Sequence, residues 1–224
     1  NKMTFAMSYN GAEKYILVLS HDEVVHLKCS MLNKMPGLGI DKFRNLMAGY
    51  TFFMGHPGKK LLFMGQDFAQ LREWSEEREL DWFLLAEAEH RQLHDYFKEL
   101  LRIYRKYPSM YELDHSWDGF EWINANDGER SIFSFVRKSK NGKKNLLFII
   151  NFTPVERTDY RVGAPTKGTY KLILNSDDER FGGSGKARPV SYKTVKAECD
   201  GWDYSFAYPL APYGVGVFEF NYRV

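Results

Sequence analysis

Tyr15-Ile-Leu-Val-Leu-Ser-His-Asp-Glu-Val-Val-His26 is an unbroken apolar run that ends abruptly in a histidine and two carboxylates. Continuous rather than alternating hydrophobicity is the habit of a strand buried on both faces, as in a parallel sheet covered by helices. Chemistry in such folds collects at the C-terminal tips of the strands. The pattern predicts a buried strand whose tip offers His21, Asp22 and Glu23 to a substrate.

The scheme recurs downstream. Asp41 is placed to cap a helix from about Lys42 to Gly55, with Phe43, Leu46, Met47, Tyr50 and Met54 near the i, i+3, i+4, i+7 rhythm, and Gly-His-Pro-Gly58 ends it. A second apolar run, Leu61-Leu-Phe-Met64, breaks at Gly65-Gln-Asp67. A long helix follows, its apolar face set by Leu93, Tyr96, Phe97, Leu100, Leu101 and Tyr104, and Pro108 closes it. The order is β-α-β-α. Two such units cannot close a barrel, so the pattern predicts that further strands come from residues upstream of Asn1 or from a second copy of the chain.

From about Trp117 the helical spacing gives way to short β-rich runs separated by turn residues. Phe133–Val136 and Leu146–Ile150 flank Lys140-Asn-Gly142, which predicts a hairpin with a type I′ turn. Further strands are expected near Tyr170–Leu174, Val190–Ala197, Tyr204–Tyr208 and Val215–Tyr222. Residues 1–113 thus read as part of an α/β layer and residues 114–224 as an antiparallel β-sandwich.

Composition narrows the partner. Thirty-one basic residues against 29 acidic leave a formal charge of +2, which points neither to nucleic acid nor to a membrane surface. Cys29 and Cys199 form no CxxC, and no signal peptide or long apolar span is apparent, which predicts a cytoplasmic, reduced protein.

Leu19-Ser-His-Asp-Glu-Val-Val-His26 and Leu62-Phe-Met-Gly-Gln-Asp-Phe-Ala-Gln70 resemble signatures of the bacterial 1,4-α-glucan (glycogen) branching enzymes of the α-amylase superfamily. Arg72-Glu-Trp74, Leu80-Asp-Trp82, Gly119-Phe-Glu-Trp122, Asn151-Phe-Thr-Pro-Val155 and Asp159-Tyr-Arg161 continue the likeness in the family's order. The resemblance implies the C-terminal part of a longer enzyme: the last two βα units of a (β/α)8 TIM barrel followed by an amylase-type β-sandwich. It implies cleavage of an α-1,4 glucan such as glycogen or amylose and transfer of the segment to a 6-hydroxyl, with retention and without a cofactor. Retaining chemistry needs a nucleophilic carboxylate and a carboxylic acid about 5 Å apart, and the family carries both on earlier strands. Asp22 corresponds to the family's third carboxylate, a transition-state stabiliser, and His21 would share its sugar hydroxyls. Arg72 and Trp74 are candidate glucan contacts, the indole by stacking on a sugar face.

Other readings compete. Glu23 and His26 are assigned structural roles. Asp67, at the neighbouring tip, could pair with Asp22 as acid and nucleophile, since adjacent strands lie about 4.8 Å apart, but the family places Asn-Glu where Gln66-Asp67 stand here and does not use that position catalytically. Leu27 replaces a residue that tends to be glycine in the family. His21 and His26 are five apart and diverge on a helix, while His90 and His94 have helical spacing without a third ligand, so no metal site is predicted and the latter pair is expected on a solvated face. Gly182-Gly-Ser-Gly-Lys186 lacks the hydroxyl residue of a phosphate loop and is expected to be a mobile surface loop. A different class of function is a glucan-binding sandwich without catalysis, with Trp117, Trp122 and Trp202 as its aromatic surface, although burial is the expected fate of these three.

Overall fold

A computed structural model describes residues 2–186 and 190–222; Asn1, the start of the first expected region, lies outside them. The chain opens with a short helix α1 (Lys2–Phe5), strand β1 (Ile16–Leu19) and a helical turn α2 (Met31–Lys34), followed by α3 (Ile40–Gly55), β2 (Lys59–Leu62) and α4 (Ala88–Lys106). Strands β3 (Phe120–Asn124), β4 (Ile132–Arg137), β5 (Asn145–Asn151), β6 (Arg157–Ala164), β7 (Thr169–Asn175), β8 (Ser191–Lys193), β9 (Tyr204–Leu210) and β10 (Val215–Phe220) complete it.

β1 and β2 pair in parallel, Ile16 beside Lys59 and Leu19 beside Leu62, so the expected β-α-β-α order is present. Their expected burial is not. Ile16, Val18 and Leu61 are exposed, while Leu19 and Leu62 pack on the helices. A two-stranded sheet backed by helices on one side leaves its other face to solvent, and the sequence pattern cannot tell which face will be covered.

Gly39 rather than Asp41 precedes the first turn of α3, with a positive φ of 53°, and Asp41 pairs instead with Arg44 across one turn at 3.8 Å. α3 and α4 pack along one another through the Tyr50–Phe97 ring pair at 5.3 Å and a hydrogen bond of 2.6 Å between the Thr51 and Tyr96 hydroxyls. Leu101 and part of Tyr104 lie outside the apolar stripe of α4, which is formed by His90, Leu93, Tyr96, Phe97, Leu100 and Ile103.

Six strands form one antiparallel sheet in the order β3-β4-β5-β10-β7-β8, and β6 and β9 form a separate two-stranded ribbon. Period-2 alternation sends Phe135, Phe148, Ile150, Val215 and Val217 to one face of the large sheet and Val136, Leu147, Ile149, Phe218 and Phe220 to the other. The first face meets α3 and α4; the second meets Tyr160, Val162, Phe206 and Tyr208 of the ribbon. Every residue of β5 is buried as a result. The helix layer lies close to the sheet because Gly55 ends α3: a Cβ there would stand 2.8 Å from the Phe135 ring. Arg137 of β4, fully buried, donates to the carbonyls of Gly55 at 2.9 Å and Met110 at 3.0 Å.

β4 and β5 are neighbours as expected, but their connection is not a type I′ turn. The strands end at Arg137 and resume at Asn145, the Gly142 amide donates to Ser139 O, and the positive φ values fall on Gly142 and Lys144 rather than on Asn141. Asn145 supplies its side-chain carbonyl to the Ser139 amide at 2.9 Å and stabilises this wider loop. Residues 182–186 are not the loose loop expected either: the Asp177 carboxylate accepts from the Ser184 amide at 2.8 Å and its hydroxyl at 2.6 Å, and Lys186 pairs with Glu156 at 2.8 Å. Of the strands expected, that at Val190–Ala197 shortens to β8 plus a single bridge at Val195. Among the described residues, no helix is long and apolar enough to cross a membrane.

Candidate active site

The tip of β1 turns at once into a single helical turn, His21–Glu23, initiated by Ser20. The Ser20 hydroxyl accepts from the Asp22 amide at 3.2 Å, and the Glu23 carboxylate reaches back to the Ser20 amide and hydroxyl, completing a capping box. Glu23 therefore has the structural role expected of it. The turn leaves the Asp22 carboxylate exposed, with His21 Nε2 3.3 Å from Oδ1. Lys28 Nζ donates to the Asp22 carbonyl at 2.8 Å and fixes the turn from the far side.

Trp74 stands beside this tip. Its ring lies 6.3 Å from that of His21 and 5.1 Å from Phe63, which follows β2, and its amide donates to Val24 O at 3.0 Å. His21, Val25, His26, Phe63, Trp74 and Glu76 line an open cleft of about 550 Å³. An apolar wall of indole and phenyl beside two imidazoles and the Glu76 carboxylate suits a ligand with one greasy face and a rim of hydroxyls. Of the expected site residues, His21 and Trp74 are thus brought together, and Asp22 stands beside His21.

Arg72 is placed differently. Its guanidinium makes a two-point contact with Asp81, one arm measuring 2.8 Å, and these hydrogen bonds hold the Asp81 carboxyl below the usual range. Asp81 is buried and its own amide donates to Gln70 Oε1 at 3.1 Å. Arg72 also borders, with Gln66, Gln70, Met64 and Trp74, a chamber of about 10 Å³ behind the indole, room for one water molecule. Among the described residues Gln66 Oε1 is buried without a partner, while Gln66 Nε2 donates to Ser20 O at 3.2 Å and links the two strand tips.

Asp67 turns toward the helices: one carboxylate oxygen lies 3.2 Å from His94 Nδ1 on α4. His90 corrects the expectation of a solvated pair. It is buried, its Nδ1 is 2.8 Å from Phe68 O, and its ring packs edge-on against Phe43 at 4.9 Å. The three tryptophans of the second half do not share a surface. Trp122 packs with Phe120 on the helix side of the sheet, Trp202 lies on the ribbon side, and Trp117 is exposed beside Phe120 at 6.2 Å.

Glu73 is the residue that sequence reading missed. Its carboxylate accepts from the backbone amides of Leu27 at 3.1 Å and Cys29 at 2.6 Å, in a segment where His26, Leu27 and Cys29 all have positive φ. Its position inside Arg72-Glu-Trp74 was the only signal pointing to it.

Residues 122–221 match the family model of the alpha amylase C-terminal all-beta domain. The fold is shared with the α-amylase from H. orenii, at TM-score 0.55 and 16% identity over 91% of this chain and 39% of that one. It is shared also with a pullulanase from Anoxybacillus complexed with maltotetraose, at TM-score 0.54 and 9% identity over 82% and 24%.

The sequence is similar along its length to the bacterial 1,4-α-glucan branching enzymes. It is 61% identical to that of Butyrivibrio fibrisolvens over 98% of this chain and 34% of the relative. Identity is 45% to one from Clostridium perfringens strain SM101 and 46% to one from Bacillus cereus strain 03BB102, again over about a third of each relative. The chain spans about a third of the length of the curated relatives it matches.

Proposed function

We propose that the chain is the C-terminal part of a 1,4-α-glucan branching enzyme, with residues 1–113 forming the last two βα units of a (β/α)8 barrel and residues 114–224 the sandwich behind it. The observation that carries this reading is the His21–Asp22 tip of a parallel strand, with the His21 ring beside Trp74 at the wall of a cleft, in a sequence 61% identical to such an enzyme. The parent would cleave an α-1,4 glucan, hold the segment covalently and transfer it to a 6-hydroxyl in the cytoplasm, forming the α-1,6 branches of glycogen. The nucleophile and the acid/base would come from strands outside residues 1–224. Those strands would also cover Ile16, Val18 and Leu61, the apolar face that β1 and β2 leave open.

In this scheme Asp22 contributes through differential binding. Its carboxylate accepts hydrogen bonds from the hydroxyls next to the reacting carbon, and those bonds strengthen as the ring flattens toward an oxocarbenium-like transition state. The exposed His21 ring donates to the same hydroxyls. Trp74 offers a stacking face, and Arg72, with one side engaged by Asp81, would contact glucan through its remaining N–H groups. The Asp67 carboxylate lies against α4, 3.2 Å from His94 Nδ1, which disfavours its service as a nucleophile beside Asp22.

The test is branch formation on amylose, read as new α-1,6 linkages, by the protein as encoded with whatever precedes residue 1. Asp22→Asn should lower kcat by about 10³-fold or more. Residues 1–224 expressed alone should form no branches. New linkages made by residues 1–224 and abolished by Asp67→Ala would sink this reading in favour of an Asp22/Asp67 pair, and affinity for glycogen without any turnover in the encoded protein would favour a binding module.

A further inference from the structure

We propose that Glu73 is a positioning residue for the His21–Asp22 tip, acting by clamping the backbone of residues 26–29. The inference rests on the reading of Asp22 given above. Three residues of this segment sit in the left-handed region, His26 at φ 56°, Leu27 at 63° and Cys29 at 67°. Side chains other than glycine adopt that conformation at a cost of about 1–2 kcal/mol each, so the segment holds its path only if something outside it stabilises the turn. Left-handed residues also point successive amides to one side, which makes a concave site for an anion. One anion is supplied by the chain: Glu73 Oε2 takes the Leu27 amide and Oε1 the Cys29 amide, bonds that span 46 and 44 residues of sequence.

The clamp bears on the site from two directions. Lys28 lies between the two clamped amides, and its Nζ donates to the Asp22 carbonyl at 2.8 Å, so a shift of the segment pulls on the turn that presents the Asp22 carboxylate. Trp74 follows Glu73 directly, and its amide donates to Val24 O, so the carboxylate and the indole bond together zip residues 73–74 to 24–29. Arg78 closes the other side by donating from Nη2 to the Glu73 carbonyl at 3.1 Å. A charge-assisted pair of backbone bonds is well suited to holding a strained turn, because each is roughly twice as strong as a neutral one. Both carboxylate oxygens of Glu73 are turned to the backbone of residues 27–29. Its effect on chemistry would be indirect, by setting where Asp22 and Trp74 stand.

The experiment compares Glu73→Gln, Glu73→Ala and Lys28→Met in the protein as encoded, with Asp22→Ala as a reference. Amide hydrogen exchange at Leu27 and Cys29 reads the clamp, and branching kinetics on amylose read the site. Glu73→Ala should deprotect both amides and lower kcat by about 10- to 100-fold with KM changed less than threefold, the scale of a misplacement near 1 Å. Glu73→Gln keeps one acceptor and should recover part of both effects, and Lys28→Met should lower kcat while leaving the two amides protected. Amides that stay protected in Glu73→Ala overturn the clamp. Deprotected amides with kcat within twofold of wild type, in an enzyme that Asp22→Ala inactivates, overturn the positioning role. An encoded protein that makes no branches removes the functional reading and with it the positioning role, while the exchange data still decide whether the clamp exists.

Discussion

Asp114 and Arg137 form an ion pair of 2.6 Å in which neither side chain reaches solvent, between the loop after α4 and the second strand of the sheet. Burial alone would push the Asp114 carboxyl up, but the Arg137 guanidinium, with Lys60 and Lys59 nearby, outweighs it and holds the group below its ordinary value. Such a pair is a poor guide to net stability, yet breaking it leaves one charge uncompensated. Asp114→Asn should therefore cost about 3–5 kcal/mol in denaturant unfolding, and Asp114→Leu combined with Arg137→Met should recover most of that loss. A carboxyl depressed in the folded state contributes stability above its unfolded value and loses it as pH falls through the folded one, so Asp114→Asn should also flatten the acid limb of the stability curve below about pH 4.

His56 gives a second, separate acid response. It is buried behind Phe52 and Phe120, and burial lowers its pKa to about 4. Between about 6.5 and 4 the unfolded chain takes up a proton at this histidine that the folded chain refuses, so stability falls as pH falls across that window. At 1.36 kcal/mol per pH unit the loss amounts to about 3 kcal/mol. Nδ1 lies 2.8 Å from Pro57 O, a bond the neutral ring makes by donating. His56→Gln should be less stable than wild type at pH 7 but show a shallower decline from pH 6.5 to 4, measured by urea midpoints at each pH.

Gly55→Ala sets helix propensity against packing. Alanine is favoured over glycine within a helix by about 1 kcal/mol. The added Cβ would lie 2.8 Å from Phe135 and 3.1 Å from Phe148, two stacked rings with no room to withdraw. Overpacking should win: a net loss of about 1–3 kcal/mol is expected, read as a drop of several degrees in Tm, whereas Gly49→Ala, with nothing near its Cβ, should be neutral or stabilising.

Leu27 is nearly fully exposed and left-handed at φ 63°. Leu27→Gly removes strain of about 1–2 kcal/mol while adding unfolded-state freedom of about 0.5–1 kcal/mol. Tm should stay level or rise by about 2–4 °C. Leu27→Val, β-branched in the same conformation, should lower it.

The apolar runs marked strands reliably but not what would cover them. Leu146–Ile150 and Ile16–Leu19 read alike, yet the first lies at the centre of an antiparallel sheet with both faces covered, and the second has one face in solvent. β6 escaped notice because its first residues, Arg157-Thr-Asp, are polar and partly exposed, and an alternating pattern begins only at Tyr160. Strand tips made His21 and Asp22 legible, since a polar cluster after an apolar run is a local signal. His90 was misread because its helical position said nothing of Phe43 and Phe68, which enclose it. Glu73 was marked only by its place in Arg72-Glu-Trp74, for the same reason on a longer scale: a carboxylate that pairs with backbone amides more than forty residues away leaves no mark on periodicity.

The large sheet takes α3 and α4 on one face and the β6–β9 ribbon on the other, so the polypeptide severed after Leu113 would yield two pieces, each with a wet, oily flank meant for its mate. Neither piece is expected to be soluble by itself. Produced together they should find one another and bury those flanks again, which makes that junction a natural place to divide the molecule into two parts whose reassembly can be followed.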